Sequence, residues 1–80
     1  NMSRVIYTET SVFPKYRALG ERIRQEDYTQ AELAKEMGKS GAYISLRMRG
    51  KVDWSLSDMQ TICKILGITR NEVLKYFPIV

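Results

Sequence analysis

The sequence predicts a small all-α domain of five helices joined by short links, with an extended segment at its N-terminus. Apolar residues recur at three- and four-residue spacing from Tyr16 onward, which is the period of helices with one buried face. A serine or threonine precedes most of these runs and a glycine ends several of them, as helix caps and stops do. The 80 residues form one domain with a thin core, because so short a chain buries only about 60% of its unfolded surface.

Residues 1–13 differ in composition from the rest of the chain. They are rich in β-branched side chains and predict an extended arm or a single strand. A lone strand needs an edge to pair with, and another copy of the chain offers one. We therefore divide the chain into this N-terminal segment and a helical domain over residues 14–80.

The first helix is predicted to begin near Pro14, a residue suited to a first helical turn. Tyr16, Leu19 and Ile23 form its buried stripe. Three arginines are predicted on the opposite face of this helix: Arg17, Arg22 and Arg24.

The next two helices are short and lie close together in the chain. One is predicted over Gln30–Met37, with Thr29 as its N-cap and Gly38 as its stop. The other is predicted over Gly41–Arg49, with Ser40 as its N-cap.

Capping boxes introduce the last two helices. Ser55 with Asp58 precedes the fourth helix, and Thr69 with Glu72 precedes the fifth. The apolar face of the fourth helix is predicted to hold Leu56, Met59, Ile62, Cys63 and Leu66. The inward residues of the fifth are predicted to be Val73, Leu74 and Phe77, with Pro78 closing it. Trp54 and Val52 are expected to pin the preceding link to the body, although Trp54 also suits a dimer surface.

Composition narrows the function classes. Thirteen Lys and Arg against nine Asp and Glu give a net charge of +4, which favours an anionic partner. One cysteine and no histidine exclude a disulfide within the chain and a Cys/His metal site. The usual general base and any phosphate-binding glycine loop are missing, so we expect neither an enzyme nor a cofactor. A lone thiol and the lack of a leader or a long apolar run predict a cytoplasmic protein without a membrane span.

The second and third helices have the pattern of a helix-turn-helix. Leu33 and Met37 share a face of the first of these helices, and Ile44 and Met48 share a face of the second. Gly38 supplies the left-handed backbone that the tight turn between them requires. In such a motif the second helix lies in the major groove of DNA.

Several short motifs are similar to a known family. Thr-Gln-Ala-Glu-Leu-Ala at 29–34, Met-Gly at 37–38, Tyr-Ile-Ser at 43–45 and Gly-Lys at 50–51 resemble the Cro and phage-repressor helix-turn-helix family, also called the XRE family. The nearest likeness is to small Cro-like proteins of phages and prophages in Gram-positive bacteria. The resemblance spans roughly residues 16–77. It implies a five-helix lambda-repressor-like fold and transcription regulation by a homodimer on double-stranded DNA.

The chain departs from that family at four positions. Lys39 and Arg47 stand where the family usually has apolar residues. Met48 and Ile23 stand where many members have a paired Glu and Arg. The absence of both charges together is physically reasonable, because removing only one would leave a buried charge without its partner. We therefore predict that Ile23 and Met48 are buried in mutual contact.

Helical spacing identifies the residues that face DNA. With Ile44 and Met48 inward, the groove-facing set comprises Gly41, Ala42, Tyr43, Ser45, Leu46 and Arg49. An alternative is that Leu46 and Tyr43 pack against a neighbouring element, and that Gly41 and Ala42 only permit close approach.

Phosphate contacts are predicted around the same surface. In the resembling family the glutamine that matches Gln30 clamps a phosphate, and that role is assigned to Gln30. Ser40 at the start of the third helix is expected to act similarly. The flanking cations Lys39, Arg47 and Lys51 complete the set.

Two functional hypotheses follow. The first is a sequence-specific transcriptional regulator that binds duplex DNA as a dimer. The alternative is a protein-interaction module of the same fold, such as an antirepressor or antitoxin, without DNA binding. A steep fall of DNA affinity with salt distinguishes the first from the second.

Overall fold

The structure, a computed structural model, describes residues 15–78. Its helices are α1 (Arg17–Gln25), α2 (Gln30–Glu36), α3 (Gly41–Met48), α4 (Leu56–Leu66) and α5 (Val73–Tyr76), with a 3-10 turn at Arg70–Glu72 before α5. The all-α class and the five helices are confirmed, and the described range contains no strand. The extended segment at 1–13 and the helix start at Pro14 were predicted for residues outside that range.

Side-chain caps fix the starts of α2 and α3. The Thr29 hydroxyl accepts a hydrogen bond from the Glu32 backbone N–H at 3.1 Å, and the Glu32 carboxylate accepts one from the Thr29 N–H at 2.9 Å. The Ser40 hydroxyl accepts from the Tyr43 N–H at 3.1 Å. These bonds satisfy backbone donors that have no partner within the helix, and they confirm both predicted caps.

The turn between α2 and α3 depends on Gly38, whose φ is +72°. The Lys39 N–H donates to the Ala34 carbonyl at 2.8 Å, and the Gly38 N–H donates to the Lys35 carbonyl at 3.0 Å. This is a Schellman arrangement, which requires a left-handed residue after the helix. A Cβ atom on Gly38 would meet nothing within 4 Å. The turn therefore needs glycine for its backbone conformation and not for space.

One apolar core joins all five helices. Leu33, Ile44 and Met48 are buried in one apolar cluster with Ile23. A Cβ atom built on Gly20 would lie 3.6 Å from Met48 Cε, so α1 packs directly against α3 there. The predicted burial of Ile23 and Met48 is confirmed.

Three aromatic rings, from Tyr16, Trp54 and Phe77, pack against one another in the core. Trp54 is buried and makes edge-to-face contacts with Tyr16 and Phe77, at centroid distances of 6.4 and 6.0 Å. Such pairs add stability beyond the apolar area that they bury. Trp54 thus pins the link between α3 and α4, as predicted. Val52 is exposed, and the prediction that it also pins this link is wrong.

Two leucines predicted to face the core lie on the surface. Leu56 is 67% exposed and Leu74 is 61% exposed. The buried face of α4 runs through Asp58, Ile62 and Leu66, at a strict four-residue spacing. Leu56 lies off this buried face of α4, and Leu74 lies off the face of α5 that buries Tyr76, so both leucines remain largely exposed.

Arg22 was predicted on the face of α1 opposite the buried stripe, and its side chain is only 14% exposed. Its guanidinium donates to the carbonyls of Leu66 and Gly67 at 3.0 and 3.1 Å, and to the Tyr76 hydroxyl at 3.1 Å. It also forms an ion pair with Glu26 at 3.0 Å. The hydrogen bond to Tyr76 is the main cause of a pKa of Arg22 that is raised above the ordinary value of an arginine. Arg22 therefore ties α1 to the end of α4 and to α5.

We expect Arg22→Ala to lower the free energy of unfolding by about 2 kcal/mol, because hydrogen bonds made by a charged group contribute more than neutral ones. Arg24→Ala is the matched control, since Arg24 is an exposed arginine on the same helix. It should change stability by less than about 0.5 kcal/mol. Urea unfolding followed by circular dichroism measures both. Equal effects of the two substitutions would show that the contacts of Arg22 do not stabilise the fold.

Candidate nucleic-acid interface

The outer face of α3 is opposite the buried Ile44 and Met48. Ala42 and Arg49 are exposed there, and Leu46 is 37% exposed. Leu46 therefore reaches the surface, although more than half of it is covered. Ser45 is partly buried beside these residues. The face thus carries two small side chains, one leucine and one cation.

The turn before α3 and the link after it contribute further polar residues. Lys39, Ser40 and Gly41 are exposed at the start of α3, and Lys51 is exposed after its end. The Ser40 hydroxyl already accepts a backbone hydrogen bond, so its remaining capacity is mainly that of a donor. Gln30 is the first residue of α2 and is partly buried.

Arg47 is folded back along α3. Its guanidinium carbon lies 3.5 Å from the centroid of the Tyr43 ring, and its Nη1 donates to the Tyr43 carbonyl at 3.1 Å. Its Nε lies 4.0 Å from the Asp58 Oδ2 atom. The side chain is consequently largely buried, whereas the sequence placed it among the cations that flank the DNA-facing surface.

Tyr43 is partly buried and packs toward α4, as the alternative interpretation of the sequence allowed. Its hydroxyl donates a hydrogen bond to Asp58. This bond is the main cause of a raised Tyr43 pKa, because it must be broken to ionise the phenol beside a carboxylate. Lys39 also lies near the ring, with Nζ 4.8 Å from its centroid.

Asp58 is the residue of this site that sequence reasoning missed. It was assigned to a capping box with Ser55, and its own N–H does donate to the Ser55 hydroxyl at 3.0 Å. The reciprocal bond does not form, since the carboxylate points to Tyr43 and Arg47 instead. A capping box uses the longer Glu or Gln at this position. The short Asp was the available signal that the carboxylate had another partner.

The charges around α3 are unevenly distributed. From Lys39 to Lys51 the sequence holds four basic residues and no acidic one. Asp58 lies close enough to neutralise Arg47, which leaves Lys39, Arg49 and Lys51 as exposed cations. This arrangement suits a polyanion with phosphates on either side of a groove.

No group of three His, Cys, Asp or Glu side chains in residues 15–78 is placed to hold a metal ion. None of the helices described combines the length and apolar character needed to cross a bilayer. Cys63 is partly buried among apolar residues, and burial raises its thiol pKa, which fits its predicted role in the core.

Residues 13–78 match a family described as "Protein of unknown function (DUF739)", and the chain therefore belongs to that family. No curated protein and no solved structure matched the chain. The family description names no activity, so DNA binding stays a prediction.

We expect Asp58→Asn to lower the pKa of Tyr43 toward the ordinary phenol value of about 10. The substitution replaces a charged acceptor by a neutral one, so ionisation of the phenol no longer places two negative charges side by side. NMR titration of the ¹³Cζ resonances of labelled tyrosine measures the change, with Tyr43→Phe to assign the signal. Tyr28 is an internal control, because Glu36 raises its pKa through a separate hydrogen bond. A Tyr43 pKa unchanged by Asp58→Asn would contradict the role given to that carboxylate.

Proposed function

We propose that this protein is a sequence-specific DNA-binding transcriptional regulator of the Cro and phage-repressor type. The observation that carries the proposal is the α2–turn–α3 unit, with its apolar faces buried together and an exposed outer face on α3. A short helix of this width fits the major groove of B-DNA. The resemblance of residues 29–51 to that family agrees with this geometry.

The outer face of α3 is assigned to base recognition. Arg49 suits the acceptor edge of a guanine, and Ala42 and Leu46 suit the methyl group of thymine. Ser45 both donates and accepts hydrogen bonds. Because Gly41 and Ala42 are small, the start of the helix approaches the bases closely.

Phosphate contacts are assigned to the flanks of this helix. Lys39 and Lys51 lie before and after α3 and are exposed. Gln30 begins α2, where the resemblance implies a phosphate clamp, and Ser40 has an analogous place at the start of α3. These contacts position the protein on the duplex without reading its sequence.

A homodimer is part of the proposal. An open apolar groove of about 490 Å³ lies between α4 and α5, with Leu56 and Leu74 at its sides. Apolar surface exposed in this way favours association with another protein surface. A symmetric pair of domains would read two half-sites about one helical turn apart.

The same groove supports the second candidate function, a protein-interaction module such as an antirepressor or antitoxin. In that case the groove is the functional surface and α3 binds no duplex. Affinity for duplex DNA that falls steeply with salt supports the regulator, whereas absence of duplex binding supports the interaction module.

Selection of bound sequences from random duplexes tests the regulator proposal. We expect the unmutated protein to enrich a defined motif. Arg49→Ala should relax the preference at one base position, with a loss of about 1–3 kcal/mol of discrimination there. Gln30→Ala should weaken binding to all sequences about equally. Equal enrichment of every sequence by the unmutated protein would rule out sequence-specific recognition.

We expect Leu74→Ser to weaken homodimer formation, because it removes exposed apolar surface beside the groove. Val52→Ser is the matched control, since Val52 is an exposed aliphatic residue outside the groove. Sedimentation equilibrium over a range of protein concentrations measures both variants. A dimer that is unaffected by Leu74→Ser, or equally affected by Val52→Ser, places the dimer contact elsewhere.

A further inference from the structure

We propose that Asp58 competes with DNA phosphate for Arg47 and thereby limits how many phosphates α3 neutralises. Asp58 is thus a residue that sets affinity without touching DNA. This inference rests on the proposed DNA-binding function and assigns regulation to the same surface.

The position of Asp58 makes it unusual among the described residues. It is 6% exposed, and no other charged residue in the described range is as completely buried. A buried carboxylate without partners is costly, so it requires a cation or hydrogen-bond donors nearby. Tyr43 and Arg47, both from α3, supply them.

The contacts of Arg47 explain why it stays folded back. Its guanidinium stacks on the Tyr43 ring at 3.5 Å and donates to the Tyr43 carbonyl. The Tyr43 hydroxyl in turn donates to Asp58, which fixes the ring on which the guanidinium rests. Asp58 therefore acts on Arg47 in two ways, through its charge and through the orientation of Tyr43.

The direct contact between Asp58 and Arg47 is long, so Asp58 holds the guanidinium by its charge and not by a hydrogen bond. The two groups are 4.0 Å apart, at the outer limit of an ion pair. Arg47 Nε is buried and makes no hydrogen bond to any residue from 15 to 78. A phosphate offers several charged acceptors to a guanidinium, in a geometry that allows two hydrogen bonds. Removal of the Asp58 charge therefore favours release of Arg47 toward the DNA backbone.

The position of Arg47 on α3 allows its side chain to turn from Asp58 to a DNA phosphate. Tyr43 and Arg47 are four residues apart and lie on one flank of the helix, next to the outer face that carries Leu46. A long arginine side chain on that flank is directed either toward α4, as in the structure, or toward the wall of the groove. The carboxylate of Asp58 decides between these directions.

The salt dependence of DNA binding measures this competition. Each additional phosphate neutralised steepens the slope of log K against log salt by about 0.9. We therefore expect Asp58→Asn to steepen the slope by about 0.9 per bound protomer. Between about 50 and 200 mM salt this equals an additional loss of about 3.5-fold in affinity. Unfolding or a change in core packing alone would not add a phosphate contact.

The experiment uses the full chain and a fluorescent duplex of arbitrary sequence, about three helical turns or roughly 30 base pairs long. Binding is followed by anisotropy over the same salt range. Glu21→Gln is the control for loss of one negative charge, because Glu21 is exposed on α1. The double variant Asp58→Asn/Arg47→Ala tests whether the added slope belongs to Arg47. We expect it to return to the slope of Arg47→Ala alone.

Two outcomes overturn the inference while the proposed function stands. One is a slope for Asp58→Asn that equals that of Glu21→Gln. The other is a steeper slope that persists in the double variant. If the unmutated protein does not bind the duplex, the proposed function and the inference both fail.

A further comparison does not depend on the folding of an Asp58 variant. In the otherwise unmutated protein, Arg47→Ala should reduce the slope less than Lys51→Ala, because Lys51 is exposed and Arg47 is held back. Equal reductions by the two substitutions would show that Arg47 already contacts phosphate, and would overturn the inference.

Discussion

The burial of Ile44 and Met48 against α1 and α2 fixes the rotation of α3 about its axis, and most of the exposed surface of α3 follows from that rotation. Leu33 and Ala34 form the opposing face of α2, and the turn at Gly38 holds the two helices at a short distance. Because side chains on a helix keep fixed angular positions, burial of one face determines which residues form the other. Ala42, Leu46 and Arg49 are exposed for this reason.

The other helices hold α2 and α3 in place from the side opposite the exposed face of α3. Arg22 connects α1 to the end of α4 and to α5 through carbonyl and hydroxyl acceptors, and the rings of Tyr16, Trp54 and Phe77 close the end of the core. These contacts join segments that are far apart in the chain. A small domain with a thin core depends on such connections, because its apolar burial alone leaves little margin of stability.

Asp58 links this supporting structure to the candidate interface. It belongs to α4, yet its carboxylate holds two side chains of α3. The cationic surface around α3 is therefore less charged than a count of basic residues suggests. Under the proposed function, the same cluster would give α4 an influence on DNA affinity, so that a substitution outside the interface would change the salt dependence of binding.

The sequence by itself determined the helical class, the order of the helices and the caps at Thr29 and Ser40. These depend on spacing and on neighbours within four residues, which a sequence displays directly. It also predicted the buried pair of Ile23 and Met48, since both continue apolar stripes. The buried face predicted for α4 differs from the observed one. Leu56 and Asp58 both begin helical faces that fit the sequence, and only the position of the other helices selects between them.

Only the tertiary structure decided the roles of Arg22, Arg47, Asp58 and Leu74. Arg22 meets its acceptors more than forty residues away in the chain, and Asp58 meets Tyr43 across a separation of fifteen residues. Helical periodicity carries no information about which polar group a long side chain reaches at such separations. Leu74 stays exposed because it lies off the face of α5 that buries Tyr76. Local sequence therefore defined the scaffold, whereas long-range packing defined which of its charges remain available at the surface.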